Sequence, residues 1–264
     1  MINRIKMNQQ VHQKVKGELN LVKTANLAYQ EPVDSLPEKN AAVIQVHTNE
    51  RLRKEREMLE QPVVPEDKPV YDYIKRAVDV VCSAAGLAVL SPVFLVVMTA
   101  IVMNDPGNPF FVQTRIGKDG KEFQIYKFRS MYKDAENQLA VLQKRNESRG
   151  ATFKIKDDPR ITKVGKFIRK TSIDELPQLL NILKGDMSVI GPRPFIPSEQ
   201  QNLPSDRLLV KPGLSCYWQI GGKNELPLAE QIALDRKYIQ ERSFWTDFKI
   251  FCKTIFHVIS RKNC

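Results

Sequence analysis

The sequence predicts a basic protein that is held at one face of a membrane by a broken apolar helix. Three observations support this: an uncharged run over residues 80–103, Ser91-Pro92 near its middle, and basic residues on both sides of it. With 264 residues, 42% of them hydrophobic, the chain is long and apolar enough for a folded core, which excludes wholesale disorder. The mean hydropathy of −0.36 excludes a multi-span membrane protein.

Residues 1–69 are polar and hold eleven basic and ten acidic side chains, so we expect a flexible extension there without chemistry of its own. Its end is predicted to be an exposed helix at Asn49–Gln61, followed by a proline-rich linker. Residues 70–264 hold thirty basic and twenty acidic side chains, which is +10 of the total net charge of +11. This excess predicts an anionic partner: nucleic acid, an acidic membrane surface or a phosphorylated substrate.

The uncharged run Val80–Met103 is 24 residues long. As one straight helix it would measure about 36 Å, against a hydrocarbon core of roughly 30 Å. Pro92 removes a backbone donor, so the helix should kink or break there, and Ser91 can hydrogen-bond a freed carbonyl. The basic flanks favour the cytoplasmic side for both ends, and thus a re-entrant hairpin over about residues 76–103. A single kinked spanning helix and a buried core helix are the alternatives.

An apolar stripe recurs at three- and four-residue steps near the C-terminus: Phe244, Phe248, Phe251, Ile255 and Ile259. It predicts an amphipathic helix at a membrane interface, within C-terminal helices over about residues 226–260. The same periodicity fits a core-facing helix equally well.

The four cysteines form no C-x-x-C pair and the three histidines are dispersed, which argues against a disulfide framework or a zinc site. The chain also lacks the glycine-rich and nucleophile-elbow signatures of dinucleotide-binding, P-loop and serine-hydrolase proteins.

Adjacent carboxylates at Asp174 and Glu175 are the strongest candidates for chemistry. Ser172-x-x-Glu175 is a capping-box pattern, and this structural interpretation stands on spacing alone. Cations surround the pair in sequence, however: Lys163, Lys166, Arg169 and Lys170 upstream and Arg193 downstream. A carboxylate kept ionised by such cations can bind a divalent metal ion or attack phosphorus.

Four motifs in a fixed order then resemble one family: Ser91-Pro92, Lys127-Phe128-Arg129-Ser130-Met131 after a predicted strand at 122–126, Thr171-Ser172-x-Asp174-Glu175-Leu176-Pro177-Gln178, and Gly191-Pro192-Arg193-Pro194. Over about residues 70–260 the chain is similar to bacterial sugar transferases, the monotopic polyprenyl-phosphate phosphoglycosyl transferases. The resemblance implies an α/β fold: a small cytosolic catalytic part at about 104–225, a re-entrant membrane helix and interfacial helices. It places the protein at the cytoplasmic face of the bacterial cell membrane.

The same resemblance implies transfer of a sugar 1-phosphate from a UDP-sugar to undecaprenyl phosphate with Mg²⁺, initiating exopolysaccharide or capsule synthesis. It makes Asp174 the nucleophile and a metal ligand, and Glu175 the partner that positions the metal or assists deprotonation. Phosphate or nucleotide contacts are implied for Arg169, Arg193, Lys127, Arg129 and Lys223. Lys223 stands where the family usually has arginine, so a bidentate contact with the nucleotide is in question.

Two other classes of function compete with this hypothesis. A non-enzymatic, basic membrane adaptor of a polysaccharide assembly complex would explain the charge and the hairpin, but not the carboxylate pair among cations. A nucleic-acid binder would leave Val80–Met103 without a purpose, and we expect no nucleic-acid partner. Among donors, hexoses and N-acetylhexosamines fit equally.

Overall fold

The computed structural model describes residues 63–138, 157–221 and 226–260, together with Leu142 and Ile155. Most of the predicted extension, including the helix expected at Asn49–Gln61, lies outside these residues. The described chain mixes helices with strands, as the sequence predicts, and its named strands form two sheets of two strands each.

The first element is α1, a 36-residue α-helix over Pro69–Asn104. Proline fits the first helical turn, where its missing N–H costs no hydrogen bond. Among the described helices, α1 is the one that is long and apolar enough to cross a membrane, judged by length and composition. One face carries large exposed apolar side chains: Val81, Val89, Leu95, Val96 and Met103.

The helix α1 continues through Pro92, so of the kink or break expected at Ser91-Pro92 the break does not occur; the re-entrant arrangement stays a prediction. In an α-helix the N–H of residue 92 would bond the carbonyl of Ala88, and proline cannot donate it. The Ser91 hydroxyl donates to that carbonyl instead, at 2.8 Å. The serine therefore satisfies the acceptor that the proline leaves open, and the helix is maintained.

Both ends of α1 contact the same domain. Near its start, Asp72 pairs with Arg242 at 2.6 Å. Near its end, Val97 and Ile101 are buried in a cluster with Phe128. The apolar helix is thus packed on the domain through one face while its other face stays exposed.

An antiparallel hairpin follows, formed by β1 (Phe110–Ile116) and β2 (Glu122–Phe128) with Phe110 opposite Phe128. The predicted strand at 122–126 is confirmed and extends two residues further. The Phe128 ring is 1% exposed and packs on Phe110 and on Phe94 of α1. This packing fixes the end of β2, and with it Lys127, against the apolar helix.

The second sheet pairs β3 (Ser188–Ile190) with β4 (Gly213–Ser215) in parallel. The two backbones approach so closely that a Cβ on Gly213 would lie 2.0 Å from the Gly191 nitrogen. Glycine is required at Gly213 for this reason, and the contact holds the segment after β3 beside the start of β4.

Short helices connect these strands. The α-helices are α2 (Lys163–Lys170), α3 (Leu179–Lys184), α4 (Pro197–Gln200) and α5 (Tyr217–Gly221). The 3₁₀ helices are Lys118–Gly120, Lys133–Ala135, Ile173–Gln178 and Ser205–Leu209. Helix α3 ends at Gly185, whose φ of 96° is the left-handed conformation that favours glycine.

Two helices complete the described chain, α6 (Leu228–Glu241) and α7 (Phe244–Ile259), where C-terminal helices are predicted. Ile250 of α7 is fully buried against Tyr238 and Ile239 of α6. The predicted stripe lies on the other side of α7, because Phe244, Phe248, Phe251 and Ile255 are all exposed; the side chain of Ile259 lies outside the described residues. The core-facing alternative for this stripe is therefore wrong, and α7 presents an unburied apolar face.

Candidate active site

The carboxylate pair lies on the 3₁₀ helix Ile173–Gln178, between α2 and α3. The capping-box pattern of Ser172 and Glu175 predicts the start of an α-helix here, but the α-helix begins only at Leu179. Pro177 has no N–H to give to the carbonyl of Ile173, so the i→i−4 ladder cannot run through this turn. The tighter turn keeps Asp174 and Glu175 at its start.

The capping-box interpretation of this turn is contradicted by the structure. Ser172 has a φ of 55°, in the left-handed region, and its side chain makes no capping hydrogen bond. The carboxylate of Glu175 instead accepts hydrogen bonds from Lys127 and Arg193. A non-glycine residue in this conformation costs of order 1–3 kcal/mol, and such strain clusters at functional sites.

Glu175 is held by two cations. Its Oε1 atom lies 2.8 Å from Lys127 Nζ and 3.1 Å from Arg193 Nη2. Burial opposes its ionisation, but the charges and hydrogen bonds of Lys127 and Arg193 outweigh burial and hold the pKa of Glu175 well below its usual range. Glu175 is thus a permanently ionised anchor for the two cations.

Asp174 differs from its neighbour. Within the described part of the chain, no group donates a hydrogen bond to its carboxylate. Burial and then the charge of Glu175 raise the pKa of Asp174 to about 6, against the opposing charges of Lys127, Arg169 and Arg193. Above that pH, Asp174 is an ionised carboxylate to which no described residue donates a hydrogen bond, which is the state a nucleophile needs.

The cations reach the pair from separate elements. Lys127 is the penultimate residue of β2, and Arg169 lies in the last turn of α2. Arg193 follows β3 between two prolines, which restrict its backbone. Its carbonyl accepts a hydrogen bond from Arg207 Nη2 at 2.8 Å, and Arg207 is itself held by Asp235 at 2.6 Å. The structure thus brings Lys127, Arg169 and Arg193 near the carboxylate pair, and their contacts with phosphate or nucleotide stay predictions.

Two other predicted contacts lie elsewhere. Arg129 hydrogen-bonds the carbonyl of Asp105 and pairs with its carboxylate at 3.5 Å, at the C-terminal end of α1. Its role at a phosphate or nucleotide stays a prediction. Lys223 lies outside the described residues.

Arg115 on β1 is a site residue that the sequence reasoning did not assign. It lies 3.7 Å from Glu199 and donates to the carbonyl of Pro194 at 3.3 Å, while its Nε atom is buried without a partner. Burial, and then the charge of Arg193, lower the pKa of Arg115 to about 10. Arg115 and Arg193 therefore place two guanidinium groups near one carboxylate, Glu175, in a region suited to an anion. The sequence signal for this is weak, because Arg115 and Arg193 are far apart along the chain.

Nothing in the described ranges groups three or more histidine, cysteine or acidic side chains into a protein-built metal site. Mg²⁺ does not need such a group, since it is commonly held by one or two carboxylates together with substrate phosphates. The Asp174 carboxylate, which has no hydrogen-bonding partner among the described residues, fits that ligand set. Glu175 fits it less well, because both of its cationic partners compete for the same oxygen.

Comparison with known proteins adds independent findings. The family model for bacterial sugar transferases matches residues 70–261. The galactosyl transferase CpsE of Streptococcus agalactiae is 45% identical over 185 residues, covering 69% of this chain and 41% of that protein. The exopolysaccharide production protein ExoY of Rhizobium meliloti is 38% identical over 203 residues, covering 73% of this chain and 90% of that protein.

A third relative carries a more specific name. The UDP-glucose:undecaprenyl-phosphate glucose-1-phosphate transferase of Escherichia coli is 41% identical over 215 residues, or 76% of this chain and 44% of that protein. The chain thus spans less than half the length of two of these three relatives and most of the length of ExoY.

Proposed function

Because this chain belongs to the bacterial sugar transferase family, we propose that it transfers a sugar 1-phosphate from a UDP-sugar to undecaprenyl phosphate. The products are an undecaprenyl-diphosphate sugar and UMP, and the reaction initiates exopolysaccharide, capsule or related glycan synthesis. The observation that carries the proposal is the asymmetry of the carboxylate pair: Glu175 is bound by two cations, while no described residue hydrogen-bonds Asp174.

The reaction divides into two substitutions at one phosphorus atom. In the first, a carboxylate oxygen of Asp174 attacks the sugar-bearing phosphorus of the donor, a P–O bond to Asp174 forms, and the bond to UMP breaks. In the second, a phosphate oxygen of undecaprenyl phosphate attacks the same phosphorus, and the bond to Asp174 breaks. In each step a single anionic nucleophile, first the Asp174 carboxylate and then the undecaprenyl phosphate, approaches the phosphorus atom. This limits the repulsion between negative charges.

The cations stabilise the charge that develops on the phosphoryl oxygens. Lys127 and Arg193 are ordered by Glu175 before substrate arrives, so little reorganisation is required during the reaction. Mg²⁺ held by Asp174 and the donor phosphates would supply further positive charge there. The lowered pKa of Glu175 favours a role as an ionised anchor over one as a general base.

We further propose a monotopic arrangement at the cytoplasmic face of the membrane, with the exposed faces of α1 and α7 in lipid. Asp72 near the start of α1 and Ile101 near its end both contact the same domain. If α1 crossed the whole bilayer, the contacts at one of its two ends would be broken. The exposed stripe of α7 supports an interfacial position for the same domain.

The test uses membranes containing the chain, Mg²⁺ and a panel of UDP-sugars, with UMP release and lipid-linked product as readouts. We expect both products from at least one donor. When the chain is mixed with that donor but without undecaprenyl phosphate, the peptide that contains Asp174 should gain the mass of a phosphosugar. UMP release without this adduct would contradict the covalent route, and no release from any donor, as the adaptor hypothesis predicts, would contradict the enzymatic function.

A further inference from the structure

Asp79 is the last ionisable residue before the uncharged run of α1, and it is 3% exposed. Its Oδ1 atom accepts hydrogen bonds from the backbone N–H of Val189 at 2.9 Å and from the Ser188 hydroxyl at 3.1 Å. A polar side chain of the apolar helix is therefore bound to strand β3.

This contact closes an otherwise open strand edge. Ser188 and Ile190 are the β3 residues in register with β4, so the N–H of Val189 between them points to the opposite edge. A buried N–H without an acceptor costs about 1–3 kcal/mol. Asp79 supplies the acceptor, and it thereby fixes β3 relative to α1.

Arg76, one turn earlier on α1, makes a matching contact with α3. It donates to the carbonyls of Ile182 and Leu183, at 2.6 and 2.8 Å. These carbonyls are in the last turn of α3, where helical N–H donors run out, and that of Ile182 also accepts from the cap N–H of Gly185 at 3.0 Å. α3 follows directly on the turn that carries the carboxylate pair.

We propose that Asp79 and Arg76 are positioning residues of the active site, through which α1 aligns the strand leading to Arg193 with the helix following Glu175. This inference rests on the proposed function. Only three residues separate Val189 from Arg193, and two of the five residues from Gly191 to Phe195 are prolines. The Arg193 guanidinium lies 3.1 Å from Glu175. A displacement of β3 is therefore transmitted to the contact that orders the cations.

The test compares two carboxylates of the same helix. Asp79→Leu removes the contact with β3, while Asp72→Leu removes a contact with Arg242, which belongs to neither β3 nor α3. With both variants retained in membranes after a carbonate wash, we expect kcat to fall about tenfold or more in Asp79→Leu and to change less than about twofold in Asp72→Leu. Asp79→Asn keeps the accepting oxygen and should restore kcat to within about threefold of the original chain.

Hydrogen exchange of the peptide covering residues 186–195 provides a readout that does not depend on activity. It should be faster in Asp79→Leu than in Asp72→Leu or Asp79→Asn. Ser188→Ala removes one of the two hydrogen-bond donors to Asp79 without changing α1, and it should increase the exchange rate by a smaller amount. If Asp79→Leu does not accumulate in cells, the exchange rate of Ser188→Ala tests the inference in its place.

Unchanged exchange in both Asp79→Leu and Ser188→Ala, or unchanged kcat in Asp79→Leu, would overturn the inference and make α1 an anchor only. If the original chain transfers no sugar phosphate yet shows the expected exchange pattern, the proposed function fails while the coupling of α1 to β3 stands.

Discussion

Two clusters of ionised side chains lie on either side of Arg193, and they differ in how completely they are paired. In the first, Arg207 binds Asp235 at 2.6 Å, Trp218 donates to the second oxygen of Asp235 at 3.2 Å, and both members of the ion pair are 3% exposed. In the second, Glu175 has two cationic partners but Asp174 has no hydrogen-bonding partner among the described residues. The closed cluster fixes the backbone of Arg193, and the open cluster keeps a carboxylate available for reaction. The two clusters thus differ in function: the carboxylate whose oxygens are both bound serves structure, and the carboxylate without such partners is placed for reaction.

Asp174→Asn gives the largest expected effect on activity. An amide is not a nucleophile toward phosphorus, so kcat should fall by about 10³-fold or more, to background. The side chain makes no hydrogen bond to another described residue, so the melting temperature should stay within a few degrees. The check is UMP release together with thermal unfolding, and robust turnover in this variant would refute the covalent mechanism.

Glu175→Gln should reduce kcat by about 10²-fold, because Lys127 and Arg193 lose the charge that orders them. The same change removes a negative charge beside Asp174 and should lower its pKa. A normal kcat would show that the two cations are positioned by other groups.

Asp235→Asn tests the closed cluster. Removing one member of a buried ion pair commonly costs 3–5 kcal/mol, so unfolding should occur at markedly lower temperature or denaturant concentration. The kcat of the folded fraction should fall less than in Glu175→Gln, since Asp235 touches Arg193 only through Arg207. A fall in kcat as large as that of Glu175→Gln, with an unchanged unfolding temperature, would contradict the distinction between the two clusters.

The pH dependence of kcat/KM should show an acid limb near the pKa of Asp174, about 6. Protonation removes the nucleophile, so activity is expected to be present above this pH and lost as the pH falls through it. In Glu175→Gln the limb should move to lower pH, whereas in Asp235→Asn it should stay in place. If the acid limb of the original chain lay in the pH range of an ordinary carboxyl group, burial would not be raising the pKa of Asp174.

Lys223→Arg gives the smallest expected effect. If this position contacts the nucleotide, a second hydrogen bond from arginine should lower the KM for the UDP-sugar a few-fold with little change in kcat. An unchanged or raised KM would place residue 223 away from the donor.

Much of the site is expected from the family resemblance that four ordered motifs carry. The resemblance implies that Lys127 and Arg193 act with Asp174 and Glu175, and the structure has these four side chains in one cluster, while their roles stay predictions. Spacing describes only neighbours along the chain, however. Arg115 contacts Glu199 and the carbonyl of Pro194 across about 80 residues, and no local pattern indicates this.

Two local rules have different outcomes. At Pro92, the expected hydrogen bond from Ser91 to a freed carbonyl is present, and α1 runs through the proline without a break. At Ser172, the capping-box rule is wrong, because Lys127 and Arg193 bind the Glu175 carboxylate that would complete the box. A local rule fails where a side chain has a stronger partner elsewhere.

The burial of Phe128 and Ile168 under α1 has a practical consequence for inhibitor discovery. A water-soluble fragment made by deleting residues up to Asn104 would expose both side chains, and each apolar side chain that loses full burial costs about 1.5–3 kcal/mol. Such a fragment should aggregate, and the end of β2 that carries Lys127 would lose its support. Screens against this chain should therefore retain α1, in nanodiscs or in detergent, so that the side chains around Lys127 keep the support that α1 gives them.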